Sequence, residues 1–182
     1  MNTNEGYIIF NKSVNSETCQ SLIDHCNTLM NQKVGRLYIL FNSTGGQLND
    51  AFTIYNYLRA IPIEIITHNI GSVSSMANIP FLAGKIRKAT QNSSFFFHGV
   101  HVTIPSPKDI YKPELLEYIS DIENAELRMK QVMLSCTKLS ESEVDDLLGS
   151  PKHYNAQFAL EKGIIDEITD ASIQMVSNIV QI

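Results

Sequence analysis

With 182 residues, 43% of them apolar and 18% charged, the chain has the composition of one folded domain with a substantial core, not of a disordered tail. A net charge of −5 leaves no basic stripe to neutralise phosphates, which argues against a nucleic-acid partner. Three cysteines make no disulfide framework. There is no basic, apolar, small-residue leader and no apolar run of about 18 residues, so neither export nor membrane insertion is expected and a reducing cytoplasm is the default.

Short apolar runs alternate with helical spacing along the first half. Tyr7–Phe10 reads as a strand. Ser16–Asn31 reads as a helix with Cys19, Leu22, Ile23, Cys26 and Met30 on one face, which makes the first two cysteines buried thiols. Leu37–Phe41 has the unbroken apolar pattern of a strand covered on both sides. Helical spacing returns over Gln47–Arg59 through Leu48, Ala51, Phe52, Tyr55 and Leu58, and Pro62 stops it. Ile63–Thr67 predicts a strand, Ser74–Ala83 a helix ending at Gly84, and Ile86–Thr90 and Ser94–His98 two more strands. The β-α-β-α order predicts a parallel sheet with helices on both faces.

The rhythm changes after His98. Val100–Pro113 contains Pro105, Pro107 and Pro113 and reads as extended or looped. Glu114–Ser135 reads as one long helix. Leu115, Ile119, Ile122, Met129 and Met133 form its stripe, Leu116, Leu127 and Leu134 its edge, and Glu126 interrupts it. A long helix of this kind either packs on its own sheet or projects toward a partner subunit. Ser140 and Glu143 have the spacing of a capping box opening a helix to about Leu148. Asn155–Lys162 predicts a helix closed by Gly163, and Ile164–Ile168 a last strand. Ile173–Ile182 fits either a packed helix or an added strand. With no repeat and no long linker, residues 1–182 form a single domain.

Three motifs stand where apolar strands meet turns. Gly45-Gly46 follows a strand; it fits a tight turn and equally a loop that turns backbone N–H groups toward a ligand. Gly71-Ser72-Val73-Ser74-Ser75-Met76 carries serines that fit N-caps, or a nucleophile at a helix N-terminus with the Met76 N–H beside it. Neighbouring helical residues point about 100° apart, so only one of Ser74 and Ser75 can attack. His98 closes Phe95-Phe96-Phe97, as a core-satisfied histidine or a general base. His98 and His101 alone lack the carboxylate or thiolate ligands of a metal site.

In order, these motifs resemble the proteolytic subunit of the Clp protease, within the superfamily it shares with crotonases and signal peptide peptidase A. Tyr38–Gly46 resembles the family's apolar strand and Asn-Ser-Pro-Gly-Gly, with Thr44 in place of the proline. Ile54-Tyr55-Asn56 resembles Ile-Tyr-Asp, and Gly71–Met76 resembles Gly-x-Ala-Ala-Ser-Met. Leu82-Ala83-Gly84, Asn92-Ser93, Phe97-His98 and Ala159–Asp166 follow in place. The resemblance runs from about Ile8 to Asp170. It implies an α/β spiroid of ββα units with a projecting handle at about 100–135, and a homo-oligomer joined through it. It also implies a serine endopeptidase acting on peptide or unfolded protein, with Ser75 as nucleophile, His98 as base and the Gly46 and Met76 N–H groups as oxyanion donors. No cofactor and no metal belong to that scheme.

The sequence departs from the family pattern in three places. Counting back from Gly163 puts Pro151 where the family has its aspartate, so Asp145 or Asp146, a carbonyl or a water has to orient His98. Almost nothing precedes Tyr7 to match the family's axial loop and first helix, which leaves an ATPase unfoldase partner open. Val100–Pro113 replaces the glycine-rich strand before the handle helix. Two other readings therefore stand beside the peptidase: a catalytically silent assembly or binding subunit, and a crotonase-type enzyme acting on a coenzyme-A thioester.

Overall fold

The computed structural model describes residues 4–103, 109–173 and 178–182. Its strands are β1 (Glu5–Phe10), β2 (Arg36–Ser43), β3 (Glu64–Ser74), β4 (Ile86–Ala89), β5 (Ser94–Phe97), β6 (Lys152–Asn155), β7 (Glu167–Ile168) and β8 (Asn178–Gln181). Its helices are α1 (Ser16–Asn31), α2 (Leu48–Ala60), α3 (Asn78–Phe81), α4 (Lys112–Cys136), α5 (Glu141–Gly149) and α6 (Ala156–Glu161), with a 3₁₀ turn at Ser75–Ala77 before α3.

The strands form one sheet in the order β6-β5-β3-β2-β1-β8, with β4 paired to β3 and β7 to β4. Every pairing among the described residues is parallel except β5 with β6. The long strand β3 changes partner along its length. Ile66–Asn69 pair with β4, and Ser72–Ser74 pair with β5. Asn69, wholly buried, sits at the changeover. Its Nδ2 donates to the Ser94 carbonyl (2.8 Å) and its Oδ1 accepts from the Gly71 N–H (3.0 Å), so the side chain supplies bonds the ladder loses there.

The expected parallel sheet is present. Its third strand is longer than the apolar run implied, because Gly71–Ser74 continue it instead of forming a turn. The helix expected over Ser74–Ala83 contracts to the 3₁₀ turn and α3. The strand β6 was not anticipated: its residues are mostly exposed and lack apolar alternation. Of the strand expected at Ile164–Ile168, only Glu167 and Ile168 pair. The ambiguous tail adds β8 alongside β1. Pro113 lies in the first turn of α4, where its missing N–H costs nothing; Pro105 and Pro107 lie outside the described residues.

A ladder of aromatic rings ties the elements that carry the motifs. Phe10, Phe41, Phe81 and Phe95 are buried, and successive ring centroids lie 5.4, 5.9 and 5.4 Å apart. Phe81 thereby anchors α3 against β2 and β5. The capping box of α1 is Asn15 with Thr18, and the helix buries Cys19, Leu22, Cys26 and Leu29; Leu29 takes the place expected of Met30. Burial pushes the Cys26 thiol up to about 12, leaving it packed and unreactive. The helix α4 divides in two. Ala125, Met129 and Met133 are buried, whereas Leu115, Leu116 and Ile119 are exposed. Among the described residues, no helix is long and apolar enough to cross a membrane.

Candidate active site

The carboxyl ends of three adjacent parallel strands, β2, β3 and β5, meet at one edge of the sheet, where open α/β sheets bind ligands. Ser43 pairs with Val73, and Ser74 with Phe96. The residues just beyond these pairs are the glycine pair, Ser75 and His98. A cleft of about 240 Å³ at this edge is lined by Gly46, Gln47, Leu48, Ser75, Met76, His98, Gly99, Val100, His101 and Met129. All four residues expected to carry the chemistry, Ser75, His98, Gly46 and Met76, therefore face one space.

Ser75 has φ +54, a left-handed conformation that non-glycine residues adopt at a cost. The strained elbow reverses the chain between β3 and the 3₁₀ turn and half-exposes Ser75 at the cleft. Asn78 holds the elbow. Its Nδ2 donates to the carbonyls of Ser75 and Phe96, both at 2.9 Å, and so links the serine turn to the strand leading to His98. The other serines are engaged elsewhere: the Ser72 and Ser74 hydroxyls are 2.9 Å apart, and the Ser94 hydroxyl donates to Ser72 at 3.3 Å. Among the described residues the Ser75 hydroxyl has no hydrogen-bond partner, which separates it from Ser74.

The glycine pair is shaped by two close approaches. Gly45 has φ +89, and a Cβ there would lie 2.7 Å from Ser75 Cβ and 2.9 Å from the Met76 nitrogen. Gly46 has φ +148 and packs on Val14, where a Cβ would lie 2.0 Å from the Val14 carbonyl oxygen. The bridge between them uses the Val14 N–H to the Gly45 carbonyl (2.7 Å) and the Gln47 N–H to the Val14 carbonyl (2.8 Å). It leaves out the Gly46 N–H. Met76 is at the start of its turn, where N–H groups have no partner within the turn.

His98 is half-buried, its ring centroid 5.4 Å from Phe96 and 5.8 Å from His101. Its Nδ1 lies 2.6 Å from the Gly99 carbonyl oxygen. A carbonyl only accepts, so the proton sits on Nδ1 and Nε2 presents a lone pair. Neither carboxylate named as a substitute acid reaches this ring. Asp145 is exposed and paired with Lys130 at 2.8 Å, and among the described residues Asp146 makes no side-chain bond to His98. Both sit on α5, whose last turn meets the histidine loop through backbone: the Gly99 N–H donates to the Leu148 carbonyl at 2.7 Å. Pro151 is exposed between α5 and β6. Of the alternatives for the third group, the one within hydrogen-bond distance of the ring among the described residues is the Gly99 carbonyl.

A hydroxyl, a ring nitrogen able to accept its proton and two backbone donors around one cleft are the components of acyl transfer at a carbonyl. The comparisons with known proteins point to a protease family. The family model for Clp protease matches residues 2–172. The proteolytic subunit 1 of the ATP-dependent Clp protease of Leifsonia xyli subsp. xyli is 25% identical over 140 residues, 75% of this chain and 68% of that protein. The proteolytic subunit 2 of Treponema denticola is 23% identical over 169 residues, 91% of this chain and 82% of that protein. A solved structure of a ClpP1 mutant from Listeria monocytogenes superposes with a TM-score of 0.78 at 18% identity, covering 91% of each chain. The chain belongs to the Clp protease family, and its mixed α/β architecture is the ClpP fold.

Two side chains that bond backbone next to the cleft went unrecognised in the sequence: Asn78, to the Ser75 and Phe96 carbonyls, and Glu126, whose Oε1 accepts from the Val100 N–H. Asn78 stands where the sequence shows only a polar residue in a helical stretch. Glu126 was visible as a break in the apolar stripe of α4, and that break was its one signal.

Proposed function

We propose that this protein hydrolyses peptide bonds as a ClpP-like serine endopeptidase. Ser75 attacks the scissile carbonyl while His98 Nε2 takes the hydroxyl proton. The Gly46 and Met76 N–H groups hold the oxyanion of the tetrahedral intermediate. The imidazolium then protonates the leaving amine, and water, activated by the same ring, releases the acyl group from Ser75. The removal of one oxyanion donor lowers such a rate by about 10²–10³. The observation carrying this reading is the strained Ser75 elbow opening onto the cleft that also holds His98, Gly46 and Met76. The relatives' names describe proteolytic subunits of an ATP-dependent protease, and the family likeness extends the peptidase class to this chain. The peptide or unfolded-protein substrate would reach a cleft flanked by Leu48, Val100 and Met129. We further propose self-association through α4 and residence in a reducing cytoplasm, where the three free thiols would stay reduced.

A fluorophosphonate probe tests the reading. Labelling that is lost in Ser75→Ala and retained in Ser74→Ala supports it; a wild-type protein that resists labelling overturns it. The second reading, a silent assembly subunit, is favoured by Pro151 and by the absence of a carboxylate on His98 among the described residues. That reading predicts no labelling together with intact self-association.

A further inference from the structure

The carbonyl that orients His98 belongs to a peptide group whose other end is bonded to a carboxylate. The Gly99 C=O accepts from His98 Nδ1 at 2.6 Å, and the Val100 N–H donates to Glu126 Oε1 at 3.2 Å. Gly99 C=O and Val100 N–H are the two poles of a single amide. We propose that Glu126, from the handle helix α4, does at one remove what the missing aspartate would do directly, through the Gly99–Val100 peptide. This rests on the serine peptidase reading for its catalytic meaning. Glu126 is a positioning residue; no proton reaches it.

Hydrogen bonds in a chain polarise one another. An anion on the N–H pulls electron density toward the carbonyl oxygen and makes it a stronger acceptor. The stronger acceptor holds Nδ1–H more firmly and favours the imidazolium formed when Nε2 takes the Ser75 proton. A carbonyl alone fixes the tautomer; the carboxylate behind it adds negative charge.

The setting of Glu126 is otherwise unexplained. It is half-buried on the face of α4 that carries buried Ala125, Met129 and Met133. Its neighbours include Lys130, one turn on, but the Lys130 ammonium is bonded to Asp145. Among the described residues Glu126 has no ion pair, so the Val100 N–H is the donor that offsets the partial desolvation of its carboxylate. The preceding His98–Gly99 peptide is held by the Leu148 carbonyl, which accepts from the Gly99 N–H at 2.7 Å. A Cβ on Gly99 would lie 2.8 Å from Glu126 Oε1, so residue 99 must be small for the carboxylate to approach.

The charged and titratable groups around this chain are Glu123 and Lys130 on α4, Asp145 on α5, His101 in the loop, and His153 on β6, whose ring stacks on Phe96 at 4.5 Å. Of these, none bonds the Gly99–Val100 peptide, so replacing Glu126 alone isolates its charge.

The experiment compares wild type with Glu126→Gln and Glu126→Asp. Fluorophosphonate labelling of Ser75 is followed against pH, and protonation of the His98 ring is followed by nitrogen NMR. Glu126→Gln keeps the shape and an acceptor for Val100 but removes the charge. The expected result is labelling slowed about tenfold, the effect of one hydrogen bond to a charged group, with the acid limb of the profile moved to lower pH. Glu126→Asp keeps the charge and recovers part of the rate. An acid limb that coincides with wild type, or a loss in Glu126→Gln that only follows a lowered melting temperature, overturns the proposal. If the wild type never labels, the peptidase reading fails by itself and the ring decides this one. Protonation of His98 at lower pH in Glu126→Gln supports the peptide relay, and an unchanged protonation pH rejects it.

Discussion

Gly45 and Ser75 are in contact: a single added carbon on Gly45 would stand 2.7 Å from the Ser75 Cβ, closer than such atoms approach. The glycine pair and the serine elbow are therefore one unit, built by the absence of a side chain. Gly45 also has φ +89, which other residues adopt at a cost of about 1–3 kcal/mol. Gly45→Ala is expected to lower stability by at least that amount and to abolish fluorophosphonate labelling. Urea unfolding and labelling rate check the two parts. A variant that labels like wild type would show that the elbow does not depend on this contact.

Asn78 links Ser75 to the strand of His98 through two carbonyls that accept from one amide nitrogen. Asn78→Asp is nearly isosteric, but when ionised it sets an acceptor against two acceptors. The two half-buried carbonyls lose their donor, at up to about 1–3 kcal/mol for each group left unsatisfied. Labelling is expected to fall further than in Asn78→Ala, which removes the donor without adding repulsion. Equal rates in the two variants would assign Asn78 to packing alone.

The components of the site that were legible in the sequence are those fixed by local chain direction. Ser75, His98, Gly46 and Met76 each follow an apolar strand closely, and parallel strands bring such positions to one edge whatever the rest of the fold does. Information that depends on distant pairing was not legible. The extension of β3 through Gly71–Ser74 exists because β5 replaces β4 as its neighbour, and the glycine and serines there give no local strand signal. The strand β6 has only Tyr154 to mark it among exposed residues. Asp145 and Asp146 stand away from the His98 ring for a similar reason: α5 presents its backbone to the histidine loop, and Lys130 takes the Asp145 carboxylate. Glu126 lies 28 positions beyond His98 in the chain, and only the packing of α4 brings them to the same peptide.

The exposed face of α4 sets another test. Leu115, Leu116 and Ile119 are 47%, 53% and 42% exposed on a helix whose second half is anchored by Met129 and Met133. Leu116→Lys with Ile119→Lys removes apolar area without opening a cavity in the core. A decrease in sedimentation mass is expected, with the circular dichroism spectrum unchanged. A mass equal to wild type would remove this face from the self-association surface.

Stability should fall with acid in two separate stages. His68 is buried, and burial holds its ring below the usual histidine value of 6.5, with the Thr169 carbonyl at 3.1 Å working partly against that. The unfolded chain binds a proton that the folded chain refuses, so stability present above pH 6.5 is lost as pH falls toward the folded value. Glu143 acts lower down. The hydrogen bond from the Lys162 ammonium, followed by bonds from the Ser140 backbone and hydroxyl, holds its carboxyl down to about 2 from 4.5. Its contribution is complete above pH 4.5 and is lost as pH falls toward about 2. Urea midpoints at pH 8, 5.5 and 3 separate the stages. His68→Gln is expected to flatten the step from 8 to 5.5 and keep the lower one, and Glu143→Gln to reduce the step from 5.5 to 3 and keep the upper one. An upper step that survives unchanged in His68→Gln would assign it to other histidines.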